Sequence, residues 1–143
     1  MTCRIGNVCL VVMLALLLSG CGAKLKTYPV EGTVTAHDGT PLEGVQVVWR
    51  CTDPPLSATA VTDASGRYRL GTLRPGGGAP AGEYELTLAE PQAEDPDAPL
   101  PERIDPRYNN FATSGLRFTV EPGSNRFDIE LEPFRGWSPS PGQ

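Results

Sequence analysis

From Val30 onward, apolar and polar side chains alternate with a period of two. Val30, Gly32, Val34 and Ala36 alternate with Glu31, Thr33 and Thr35, and Val45, Val47, Trp49 and Cys51 with Gln46, Val48 and Arg50. The same rhythm returns at Tyr68–Leu70, Tyr84–Leu88, Leu116–Val120 and Phe127–Leu131, with a weaker run near Ala58–Thr62. One dry face and one wet face mark a half-buried antiparallel strand. Between the runs stand His37-Asp38-Gly39, Asp63-Ala64-Ser65-Gly66 and Glu121-Pro122-Gly123-Ser124-Asn125. Gly supplies the positive φ such turns need, and Asp or Asn bonds its own backbone. The predicted fold class is therefore all-β, a seven-stranded antiparallel β-sandwich. Trp49, Tyr68, Tyr84, Phe118 and Phe127 fall on dry faces and are predicted to be core.

The start of the chain has a different rhythm. Arg4 precedes an apolar run, Val8–Leu18, interrupted only by Cys9. About ten apolar residues are too few to span a bilayer, which needs roughly 20, but suit the core of a signal peptide. Small residues follow, and Leu18-Ser19-Gly20-Cys21 resembles the lipobox of bacterial lipoproteins. The resemblance implies diacylglyceryl lipid on Cys21, cleavage just before it, and membrane anchoring in the cell envelope. Gly22, where Asp would signal inner-membrane retention, implies the outer membrane in a Gram-negative host. An ordinary secretory signal and an uncleaved anchor are the alternatives. The predicted organisation is a signal peptide at 1–20, a lipidated tether at 21–27, the sandwich at 28–133 and a tail at 134–143. Six tether residues reach only about 20 Å, which holds the domain close to its membrane.

Composition narrows the class. The 143 residues carry a net charge of −5 and no basic cluster, a poor match to nucleic acid. Gly 16 and Pro 15 are high for a helical protein, while 39% hydrophobic residues keep the chain out of the disordered class. Of four cysteines, Cys3 and Cys9 lie in the signal and Cys21 is the expected lipid site, leaving Cys51 with no intramolecular disulfide expected: a buried, inert thiol, with a reactive or intermolecular thiol as the alternative.

The order of motifs supports a family resemblance. Val30-Glu31-Gly32-Thr33-Val34, then Gly39-Thr40-Pro41-Leu42-Glu43-Gly44-Val45, resembles the opening of carboxypeptidase regulatory-like domains, which are transthyretin-like (prealbumin-like) sandwiches. Their Thr-Asp-x-x-Gly-x-Tyr hallmark stands here as Thr62-Asp63-Ala64-Ser65-Gly66-Arg67-Tyr68. The Pro-x-Gly-x-Tyr strand start stands as Pro80-Ala81-Gly82-Glu83-Tyr84. The match covers about residues 29–90, and Thr113–Leu131 resembles the end of small lipoproteins carrying this domain alone. These motifs are turn and strand chemistry, and the fold hosts many roles.

Candidate chemistry is sparse. His37, the single histidine, sits in a predicted turn, and one histidine with one core cysteine does not assemble a hydrolase triad or a histidine zinc site. Phe134-Arg135-Gly136 faintly resembles the ending of transthyretin-like hydroxyisourate hydrolases, but those enzymes need more histidines and end there. Asp63 and Ser65, or the acids Glu94, Asp95, Asp97, Glu102 and Asp105 of the long connection 91–110, offer oxygens for calcium, without the expected ligand spacing. Tyr108, Phe111 and Trp137 are the aromatics expected at the surface, a possible ligand patch. No cofactor and no metal are expected. The expected function is a non-catalytic, lipid-anchored envelope module that binds or organises a protein or polymer partner. A glycan or cell-wall-polymer binder is the alternative, and a small hydrolase the remote one.

Overall fold

The structure, a computed structural model, describes residues 24–91 and 102–133. The strands are β1 (Val30–Thr35), β2 (Gln46–Cys51), β3 (Leu56–Val61), β4 (Arg67–Arg69), β5 (Gly82–Ala89), β6 (Leu116–Val120), β7 (Asn125–Arg126) and β8 (Ile129–Glu130). One sheet runs β3-β2-β5-β6 and is antiparallel throughout. In the other, β1 lies between β4 on one side and β7 and β8 on the other. The two inner faces enclose a core centred on Trp49, which is fully buried, with Tyr68, Tyr84, Leu86 and Leu88. The Trp49 ring meets Phe118 edge-on at 5.3 Å and Phe127 at 6.0 Å, the geometry aromatic quadrupoles favour. All five aromatics expected on dry faces thus point inward, Phe118 and Phe127 being half-buried against the core.

The last strand departs from the expectation in two ways. It runs parallel to β1, with Val30 opposite Asn125 and Val34 opposite Ile129. The cause is directional: β6 ends at the end of the sandwich where β1 begins, so a short turn across to the other sheet must set off alongside β1. Asn125 locks that turn, its amide donating to the carbonyls of Glu121 and Gly123 while its oxygen accepts from the Glu121 N–H. The strand is also split, although its register to β1 is the same on both sides of the break and the Phe127 N–H still donates to the Glu31 carbonyl: what is missing is a backbone acceptor for the Thr33 N–H. The Asp128 carboxylate fills the gap by accepting from both the Thr33 backbone N–H (3.0 Å) and its hydroxyl (2.9 Å).

Gly32 sits opposite this break in the strand. A Cβ there would lie 1.8 Å from the Phe127 carbonyl oxygen. The Tyr68 hydroxyl donates to that same oxygen at 2.6 Å, and burial pushes the phenol well above its ordinary range. The Gly of the first motif and the Tyr of the second therefore meet at one peptide.

The Thr62–Tyr68 segment is consumed by its own turn. Thr62 donates its hydroxyl to the Leu42 carbonyl and accepts from the Val45 N–H. One Asp63 oxygen accepts from the Ser65 N–H, the Ser65 hydroxyl and the Arg67 N–H. Gly66 adopts φ +71°, and a Cβ there would be 2.6 Å from the Val34 carbonyl oxygen.

Two outcomes follow. Gly32→Ala is expected to cost about 3 kcal/mol through overpacking, read as a lowered urea midpoint at unchanged slope; an unchanged midpoint would show that the Phe127 carbonyl can move aside. Asp63 is held below the usual carboxylate range first by the Arg67 N–H, and Asp128 first by Arg126. Their contribution is complete above the unfolded value of about pH 4 and is lost as pH falls through the depressed folded values. Asp63→Ala and Asp128→Ala are each expected to flatten the acid limb of a stability-versus-pH curve. An acid limb identical to that of the unaltered protein would refute the assignment.

Candidate functional site

The connection after β5 is built around a clasp. The chain leaves at Glu90, and Arg103 returns to it. The Arg103 backbone N–H donates to Glu90 Oε1, and its Nε (3.1 Å) and Nη2 (2.8 Å) both donate to Oε2. Nη2 also donates to the Glu43 carbonyl. Both side chains are largely buried, at 16% and 14% exposure, so the charges satisfy each other away from water. Beyond the clasp Ile104 is buried. Asp105 then caps a 3-10 turn, Pro106–Asn109, by accepting from the Arg107 N–H at 2.9 Å.

This turn corrects the expectation for Tyr108. The residue is not a surface aromatic: it is 5% exposed and part of the core. A 3-10 turn has three residues per turn and so brings one side chain in three to its packed face, and Tyr108 is its buried position. Its hydroxyl accepts from Arg107 Nη2 at 2.7 Å and, at 3.4 Å, from the Glu132 N–H just past β8. Arg107 in turn pairs with the Glu132 carboxylate at 2.7 Å. Part of the long connection is thus ordered packing against β5, and its remainder, 92–101, lies outside the described residues.

Phe111 is half-buried, and the Arg50 guanidinium lies over its ring at 3.9 Å. Arg50 belongs to a row of three charges across the outer face of the antiparallel sheet, set by the register Arg50–Glu85–Arg117. Glu85 Oε2 accepts from Arg50 at 2.9 Å and Oε1 from Arg117 at 3.1 Å. The hydrogen bond from Arg50 does most to hold the Glu85 carboxyl below its usual range. A groove of about 650 Å3 opens beside this row, lined by Arg50, Arg117, Glu83, Glu85, Asp53 and Thr119 among others. It offers fixed donors and acceptors of both charge signs, which suits a polar ligand held by hydrogen bonds. Cys51 lies at its inner side, buried, with its thiol donating to the Asp53 carbonyl. Tyr84 lies there too, its hydroxyl on the Pro80 carbonyl and its phenol pushed up to about 12 by burial.

The other candidates are scattered. Cys21, Trp137 and Phe134–Gly136 lie outside the described residues; of the patch of Tyr108, Phe111 and Trp137, Tyr108 is in the core and Phe111 is half-buried. His37 is exposed in its turn, at the end of the sandwich away from the groove. Asp63 and Ser65 serve the turn, and among the described residues no three His, Cys, Asp or Glu side chains are placed to hold a metal. The row Arg50–Glu85–Arg117 was open to detection as opposite charges on wet-face positions. Recognising it required knowing that β2, β5 and β6 are neighbours in that order.

Among solved structures, the chain is similar to a DUF3823 family protein from Parabacteroides merdae, with 16% identity and a TM-score of 0.41 over 74% of this chain and 46% of that one. It is also similar to catechol 1,2-dioxygenase from Acinetobacter sp. ADP1, with 16% identity and a TM-score of 0.40 over 78% of this chain and 54% of that one. The chain thus spans about half the length of each. No curated protein matches it. The profile of the carboxypeptidase regulatory-like domain matches residues 29–132, from just before β1 to just after β8. By that match, which takes in the Gly32, Thr62–Tyr68 and Pro80–Tyr84 motifs, the chain belongs to the carboxypeptidase regulatory-like domain family.

Proposed function

We infer that this protein is a non-catalytic, lipid-anchored module of the bacterial cell envelope that binds or organises another envelope component. The observation that carries the reading is the closeness of the lipobox cysteine to the fold. Cys21 precedes Tyr28 by only seven positions, and Tyr28 already exchanges two backbone hydrogen bonds with Ala79, at 2.8 and 3.0 Å. A diacylglyceryl group at Cys21 would hold a rigid sandwich directly on the membrane surface, with two acyl chains supplying the permanence that one lacks. The family motifs support the non-catalytic part, since their polar groups are engaged in turns and sheet contacts. Replacement of Cys21 by Ser is expected to release the protein from the membrane fraction or leave its precursor uncut. A variant that stays both processed and membrane-bound would refute lipid attachment.

A second reading, a glycan or wall-polymer binder, is favoured by the groove beside Arg50. With Tyr108 in the core, its aromatic support among the described residues is Phe111, which carries the Arg50 guanidinium. If the groove takes a polyhydroxylated ligand, Phe111→Ala should weaken retention on immobilised wall polymer by about tenfold, the loss of one well-placed aromatic contact. Equal retention of the variant and the unaltered protein, or no retention of either, would remove this reading.

A further inference from the structure

Charge is distributed unequally along the sandwich. β1 starts at the end where the tether enters and finishes at the other. At the finishing end stand Asp38, Glu43, Glu90, Glu102, Asp105, Glu130 and Glu132. The register supports this: Thr35 pairs with Pro41 and with Glu130, and Gln46 with Ala89. Its bases, Arg103 and Arg107, are already engaged by Glu90 and Glu132. At the entering end Lys24, Lys26, Arg69 and Arg126 stand with Glu31, Asp53, Glu83 and Glu121, so charge nearly balances there. The molecule therefore has a polarity, from a nearly neutral end to a strongly acidic one.

The tether itself is basic and apolar. Lys24 and Lys26 are exposed and make no ion pair among the described residues, while Lys26 Nζ stands 5.4 Å from the Tyr28 ring centroid. Leu25 between them is 42% exposed, one of three large apolar side chains left open among the described residues. Tyr28 is fixed to Ala79, so these residues extend from an anchored point instead of trailing freely.

Resting on the lipid-anchor reading, we propose that Lys24, Leu25 and Lys26 form a docking surface for anionic lipid headgroups, orienting the sandwich with its acidic end away from the bilayer. Anionic headgroups attract Lys at the surface, and an exposed leucine can enter the interface. The same surface potential repels the acidic end, so both interactions select one orientation. Lipid on Cys21 alone would fix distance without fixing direction.

The test uses the full lipidated protein in phosphatidylcholine vesicles with and without phosphatidylglycerol. A nitroxide is placed on Ser124→Cys, in the exposed turn at the tether end, or on Glu43→Cys, at the acidic end; Cys51 is buried and does not compete. With anionic lipid, the Ser124 site should become more accessible to oxygen and less to an aqueous nickel chelate than the Glu43 site. Lys24→Gln with Lys26→Gln should reduce the oriented-to-free ratio by about thirtyfold, from roughly 1 kcal/mol per lysine. Equal accessibility at both sites, or a contrast indifferent to anionic lipid or to the two lysines, would overturn the orientation while leaving the anchor intact. Mass analysis of the same sample separates the two: a Cys21 without diacylglyceryl would overturn the anchor and this inference together.

Discussion

The peptide carbonyl of Phe127 sits where β1, β4 and the last strand meet, and the rest of the fold is arranged to let it sit there. Gly32 leaves room for it, since a Cβ would come within 1.8 Å. The Tyr68 hydroxyl satisfies it from β4, and Asp128, one residue on, supplies the acceptor that the Thr33 N–H lacks in the ladder. A buried carbonyl without a donor would cost about 1–3 kcal/mol. This contact lets the chain return from the antiparallel sheet and seal the other one. It also sends Phe127 inward to stack against Trp49 and Phe118, which ties the sheets to each other.

Much of this was legible in the sequence because each motif residue has a local physical job. Period-two alternation located all seven strands, with the weak one near Ala58–Thr62 appearing as Leu56–Val61. Asp63, Ser65 and Gly66 were readable as a turn because their side chains and φ act within a few residues. Direction was less accessible. Nothing in Phe127–Leu131 distinguishes a parallel from an antiparallel neighbour, since both show the same alternation. The split at Phe127–Asp128 depends on Gly32, 95 residues away.

The candidate site was harder to read for the same reason. Tyr108 sits in a segment of polar and proline-rich composition, and composition places such residues at the surface. Its burial comes from Asp105 capping the turn and from Arg107 bridging to Glu132, contacts that only the folded chain creates. Phe111 remained near the surface but acquired Arg50 as a cover. The charge row across β2, β5 and β6 needs strand order, which alternation does not encode. By contrast, the proposed lipobox would act before folding, so linear sequence would carry its whole signal.

The Glu90–Arg103 clasp gives the chain an uncommon freedom. Its two ends are fixed by one largely buried ion pair and by the Glu43 carbonyl, so the strands on either side do not depend on the number of residues spanned between them. Closing a longer loop costs little, about 0.6 kcal/mol for each doubling of its length. The segment between Pro91 and Glu102 is therefore the natural site for evolutionary length variation, and for an inserted epitope or reporter that leaves the sandwich undisturbed.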